Sequence, residues 1–172
     1  LAESYVVFDN KDIKSADPVT KDDQGNITPL SERFGPTSDV RFALDPETDA
    51  RYLELAKNPI SAIQNGKALQ EMVDTAAKKA GYNSPKLYHG TGANFNVFDA
   101  GRAGGMDLGY HFGSKKAAQD RINDLIEADE ANRREKFREA KILPIYLKKI
   151  NPLRLKENRM SSWQSADILK QI

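Results

Sequence analysis

Residues 86–118 read KLYHGTGANFNVFDAGRAGGMDLGYHFGSKKAA. Both histidines of the chain, His89 and His111, lie in this stretch, each in a short apolar run beside glycine, and five glycines fall between Gly92 and Gly109. The pattern predicts two short strands, Lys86 to His89 and Gly109 to Gly113, joined by a glycine-rich loop. A helix follows from Ser114, whose hydroxyl suits an N-cap. The two imidazoles admit two readings: they mark a site, or they are neighbours by chance in a chain that has only two.

Upstream, Asn83-Ser84-Pro85 reads as a turn, and a helix is expected before it, from Ser61 or Gly66 to Ala80. Leu69, Met72, Val73, Ala76, Ala77 and Ala80 form a stripe at helical spacing there, and Gly81 supplies the stop. An earlier helix is expected from Asp45-Pro46-Glu47, an N-cap followed by proline in the first turn, and it ends at Asn58-Pro59. Both helices read as packing elements. Residues 17–45 show no sustained period and read as a linker or surface arm, with a turn at Asp23 to Asn26. Ser4-Tyr5-Val6-Val7-Phe8 is a β-branched and aromatic run that predicts a strand, and a lone strand must pair with something.

Downstream, the helix beginning at Ser114 is expected to run to Ala140, apolar through Ile126 and then almost wholly charged, as a solvated extension would be. Lys141 to Leu147 is a strong strand signal in which Pro144 argues for a sheet edge or a bulge. Leu153 to Leu155 predicts a further short strand, and Ser161 to Ile172 a closing helix.

Composition narrows the function classes. The chain has 172 residues, 39% apolar and 30% charged, with a net charge of +1 and no cysteine. That balance suits a globular protein without a general field for nucleic acid or membrane. No apolar run approaches the roughly 20 residues of a bilayer span. The basic cluster Lys148, Lys149, Arg154, Lys156 and Arg159 leaves nucleic-acid contact as a minor alternative. No disulfide or thiolate zinc site is available, no HExxH occurs, and the two histidines have no third ligand at metal spacing, so no metal is expected. GxSxG and the usual phosphate loops are absent too. The start at Leu1 reads as a cut from a longer chain, and a cytoplasmic location is expected, with delivery into a host or target cell as an extension of it.

Tyr88-His89-Gly90-Thr91 with Phe95 and Phe98, then Gly109-Tyr110-His111-Phe112-Gly113-Ser114 backed by Ala117 and Ala118, resembles the front half of an ADP-ribosyltransferase domain. The similarity is to such domains in the polyvalent proteins of phages and mobile elements, related to diphtheria-toxin-like enzymes and poly(ADP-ribose) polymerases. Leu143 to Leu147 and Asn151-Pro152-Leu153 also suit that family. Glu3 to Asp9, with Asp12 to Ser15, resembles the family's closing strand and tail, which places the end of the fold ahead of its beginning.

The resemblance implies an α+β fold, a split β-sandwich core with added helices, either truncated or circularly permuted. Residues 1–16 would be the closing strand, 17–45 the linker, 46–81 a two-helix segment and 82–172 the core. It implies NAD as substrate and a macromolecular acceptor, a protein before any other, in a mono-ADP-ribosyltransferase acting as a toxin or effector. His89 would bond the adenosine-side ribose, the main chain of Gly90 the nicotinamide amide, and Thr91 lies nearby. His111 takes the family's aromatic stacking position, with Tyr110, Phe112 and Ser114 beside it. Alternation turns Tyr110 and His111 to opposite faces, and His111 is the one expected in the cleft. Ser4 takes the position of the catalytic glutamate, with Glu3 one place away. The alternative is a module that binds NAD or a partner without transfer. A third reading is a structural domain in which both histidines are packed.

Overall fold

A computed structural model describes residues 5–35, 45–92, 95, 98, 110–131 and 140–148, with side chains through residue 127 of the segment 110–131. Its elements are β1 (Tyr5–Val7), β2 (Ile13–Ser15), α1 (Leu30–Phe34), α2 (Pro46–Ala56), α3 (Pro59–Gln64) and α4 (Gly66–Lys79). These are followed by β3 (Leu87–Thr91), β4 (Tyr110–Phe112), α5 (Lys115–Ala131) and β5 (Lys141–Leu147). The architecture is mixed α and β with small antiparallel sheets, and the described strands form no closed barrel. β1 pairs with β4, and three strands lie in the order β2-β5-β3. The chain divides into two compact units: β1, β3, β4 and α5 belong to the first, and α1 to α4 to the second.

The second unit spans residues 14–86 and 143–148. Its helices begin as their sequence dictates. The Asp45 carboxylate accepts from Thr48 N at 2.8 Å, and Asn58 Oδ1 accepts from Ser61 N at 2.9 Å, each capping a helix with proline in its first turn. Asn58-Pro59 therefore ends one helix and opens the next, so the region expected to hold two helices holds three. Leu69, Val73, Ala76, Ala77 and Ala80 of the expected stripe are buried, and Met72 packs against them half-buried. Gly81 closes α4 at φ +88°, a conformation that costs a side-chain-bearing residue energy, and Tyr82 N donates back to Ala77 O at 2.9 Å.

The stretch expected to be a surface arm differs from that expectation. Leu30 and Phe34 of α1 lie in the core of this unit beside Tyr52. Arg33 between them is also buried, donating to the carbonyls of Asp17 at 2.7 Å and Ser15 at 3.2 Å and to the Tyr52 hydroxyl at 3.0 Å. A charge can be buried where its donors are met in this way. Burial lowers the Arg33 pKa, and the neighbouring Tyr52 and Asp17 oppose that shift. The expected turn is present: Asp22 accepts from the main chain of Gln24 and Asn26, Gly25 takes φ +87°, and Lys21 bridges to Ile27.

Pro144 lies in β5, the middle strand of its sheet rather than an edge. Its carbonyl accepts from Ala16 N at 2.9 Å, just beyond the end of β2, so the missing N–H falls where the neighbouring strand has stopped. The short strand and helix expected after Asn151, and the charged extension from residue 132 to 139, lie outside the described residues.

Candidate functional site

The first unit brings together three segments that are distant in sequence. Tyr88 of β3 and Gly113, directly after β4, exchange both main-chain hydrogen bonds, at 2.9 and 3.1 Å. In an antiparallel pair the residues two places along, Gly90 and His111, would form the next such rung. Among the described residues the Tyr88–Gly113 bridge is isolated and the rung is not made. His89 Nδ1 instead meets the His111 carbonyl oxygen at 2.9 Å. The two strands thus make no ladder beyond Tyr88, and the N–H and C=O of Gly90 point the same way as those of Tyr88, toward β4.

A carbonyl only accepts, so Nδ1 of His89 carries the proton and Nε2 of the neutral ring is left as an acceptor. The ring is half-buried on an aromatic face, with centroids 5.3 Å from Phe98, 5.5 Å from Phe112 and 6.3 Å from Phe95. Tyr110 joins the group through Phe98 at 4.9 Å. Burial lowers the His89 pKa. The bond to the His111 carbonyl works against this, while the nearby His111 and Arg121 charges add to the lowering. His89 is accordingly neutral at neutral pH, with one nitrogen committed to the fold and the other available.

The opposite face of β3 is closed by α5. A Cβ placed on Gly90 would stand 2.3 Å from the Ala118 carbonyl oxygen and 3.3 Å from Ile122 Cγ1, so only glycine lets the helix sit this close. Ser114 caps α5, its hydroxyl accepting from Ala117 N at 3.2 Å. On its other edge β4 pairs antiparallel with β1, Tyr5 opposite Phe112, Val6 opposite His111 and Val7 opposite Tyr110. Of the run Ser4 to Phe8 expected to form a strand, Tyr5–Val7 does so and is paired within this chain.

Of the residues singled out from the sequence, His89, Gly90, Tyr110, His111 and Phe112 are brought together. Alternation separates the side chains, however. Tyr110 and Phe112 turn to the face that holds the His89 ring, whereas His111 lends that ring only its main-chain oxygen. The His111 imidazole is exposed on the α5 side. Phe112 is 2% exposed and supports His89 from the core. Thr91 is buried at the end of β3, and Ser114 is engaged as a helix cap. Glu3 and Ser4 lie outside the described residues. Arg121, a single exposed arginine on a helix, carries no sequence pattern, and it is the packing of α5 on Gly90 that brings it toward these residues. No helix among the described residues is long and apolar enough to cross a membrane. No protein-family model, curated protein or solved structure matches this chain.

Proposed function

We propose that β3 and β4 form the nicotinamide end of an NAD site in a split β-sandwich, and that the protein transfers ADP-ribose to a macromolecule. The observation that carries this reading is the missing rung. Where a sheet would spend the Gly90 N–H and C=O on His111, no ladder forms, and a carboxamide has the acceptor and donor to satisfy both groups. Beside them the free Nε2 of His89 suits a ribose hydroxyl as donor. These are the contacts that the resemblance assigns to His89 and Gly90. The pairing of β1 with β4 adds support, because it sets the segment that resembles the family's closing strand directly against the second motif.

Transfer would break the bond between ribose C1′ and the nicotinamide nitrogen. Nicotinamide leaves with the electron pair, the acceptor nucleophile bonds C1′, and the acceptor loses a proton. The oxocarbenium-like transition state needs stabilisation from fixed polar groups and an oriented nucleophile. His89 and Gly90 would orient the dinucleotide. The residue matched to the family's glutamate is Ser4, which is uncharged, and that favours a second reading in which NAD is bound without transfer.

Incubation with labelled NAD and a cell lysate tests the proposal. Label transfer that disappears in His89→Ala supports the transferase. Saturable NAD binding without transfer or nicotinamide release selects the binding module, and absence of binding removes both.

A further inference from the structure

Helix α5 meets β3 through Ala118 and Ile122, the residues that close over Gly90. Arg121 is three residues beyond Ala118 and immediately before Ile122, which sets it at the edge of the β3-facing surface of the helix. Its side chain is exposed. The cation five residues earlier, Lys116, is paired with Asp120 at 2.6 Å, whereas no ion pair among the described residues includes Arg121. The exposed imidazole of His111 lies on the same side of the strands as α5, so a ligand that meets the Gly90 main chain edge-on, between the strands, has the His89 ring on one side and Arg121 at its margin on the other. The effect of Arg121 on His89 agrees with this closeness.

We propose that Arg121 receives the diphosphate of the dinucleotide and makes the site select phosphate-bearing ligands. The inference rests on the NAD reading and deepens it. A guanidinium offers paired donors in a planar fork that matches phosphate oxygens, and it keeps its charge at any physiological pH. The nicotinamide amide at Gly90 and the adenosine-side ribose at His89 would meet uncharged groups only. The discrimination between a dinucleotide and a dephosphorylated fragment would then come from α5.

The test is equilibrium binding of NAD, ADP-ribose and nicotinamide riboside to the wild-type chain, Arg121→Gln and Arg121→Lys. With the charge gone, affinity for NAD and ADP-ribose should fall about tenfold or more, the size of one lost charge-assisted contact. Arg121→Lys should fall less, and nicotinamide riboside, which has no phosphate, should be unaffected. If NAD binds Arg121→Gln as tightly as wild type, the inference is overturned and the NAD reading stands. An equal loss for nicotinamide riboside overturns it as well, because the effect would then come through the fold. If the wild-type chain binds none of the three, the NAD reading falls and takes the inference with it.

Discussion

His89 Nδ1 lies 2.9 Å from the carbonyl oxygen of His111, so the main chain of one histidine holds the imidazole of the other. The contact takes the place of a strand rung, selects the tautomer of His89 and leaves the Gly90–His111 rung unmade.

The depressed pKa of His89 makes a pH dependence. An unfolded histidine titrates near 6.5, and in the folded chain burial holds the value lower. Between the two values the unfolded chain binds more protons, so stability rises with pH there. The contribution is complete above the unfolded value and is lost as pH falls through the folded one. NMR titration of the His89 ring should show a midpoint below 6.5, and His89→Gln should flatten the acid side of the urea-midpoint profile. A midpoint at or above 6.5 would contradict the burial argument.

Gly90→Ala should be costly and Gly66→Ala should not. The new methyl at position 90 meets the backbone oxygen of Ala118 at 2.3 Å, and backbone cannot rotate aside. Overpacking of this kind costs about 1–3 kcal/mol. Gly66 opens α4 with nothing within 4 Å, and alanine there should be neutral or stabilising by up to about 1 kcal/mol. Urea unfolding of both variants checks the contrast.

Arg33→Met should destabilise the second unit by about 3 kcal/mol, since it orphans the carbonyls of Ser15 and Asp17 as well as removing the cation. Tyr52→Phe should cost about 1–2 kcal/mol, because only the hydroxyl between Arg33 and Pro18 O is lost. Equal effects would show that the arginine is not the organising member.

Val7→Pro should detach β1. Gly113 and His111 direct their main-chain groups toward β3, so Tyr110 and Phe112 direct theirs toward Val7 and Tyr5. Proline at position 7 removes a ladder donor, and the amides of Tyr110 and Phe112 should lose protection in hydrogen exchange. Unchanged protection would mean that β4 does not depend on β1.

Much of this arrangement was legible in the sequence, where an element had enough residues to show a period. The α4 stripe and the β-branched runs of β1 and β5 were of that kind. A five-residue helix such as α1 shows no period, and its burial depends on carbonyls from residues 15 and 17 that only the fold brings to Arg33. The face assigned to each β4 side chain follows from alternation, but which face would hold the His89 ring did not. That is decided by Phe95, Phe98 and Phe112 packing around it. The missing rung between Gly90 and His111 leaves no trace in composition or spacing.

In the proposed site the main chain of Gly90 and Nε2 of His89 hold NAD. Amide-resolved NMR during an NAD titration tests it most directly. With NAD in the proposed site, the Gly90 and His111 amide signals should move along one saturable curve, and His89→Ala should weaken the binding. Saturation of NAD at other amides, with Gly90 and His111 unmoved, would contradict it.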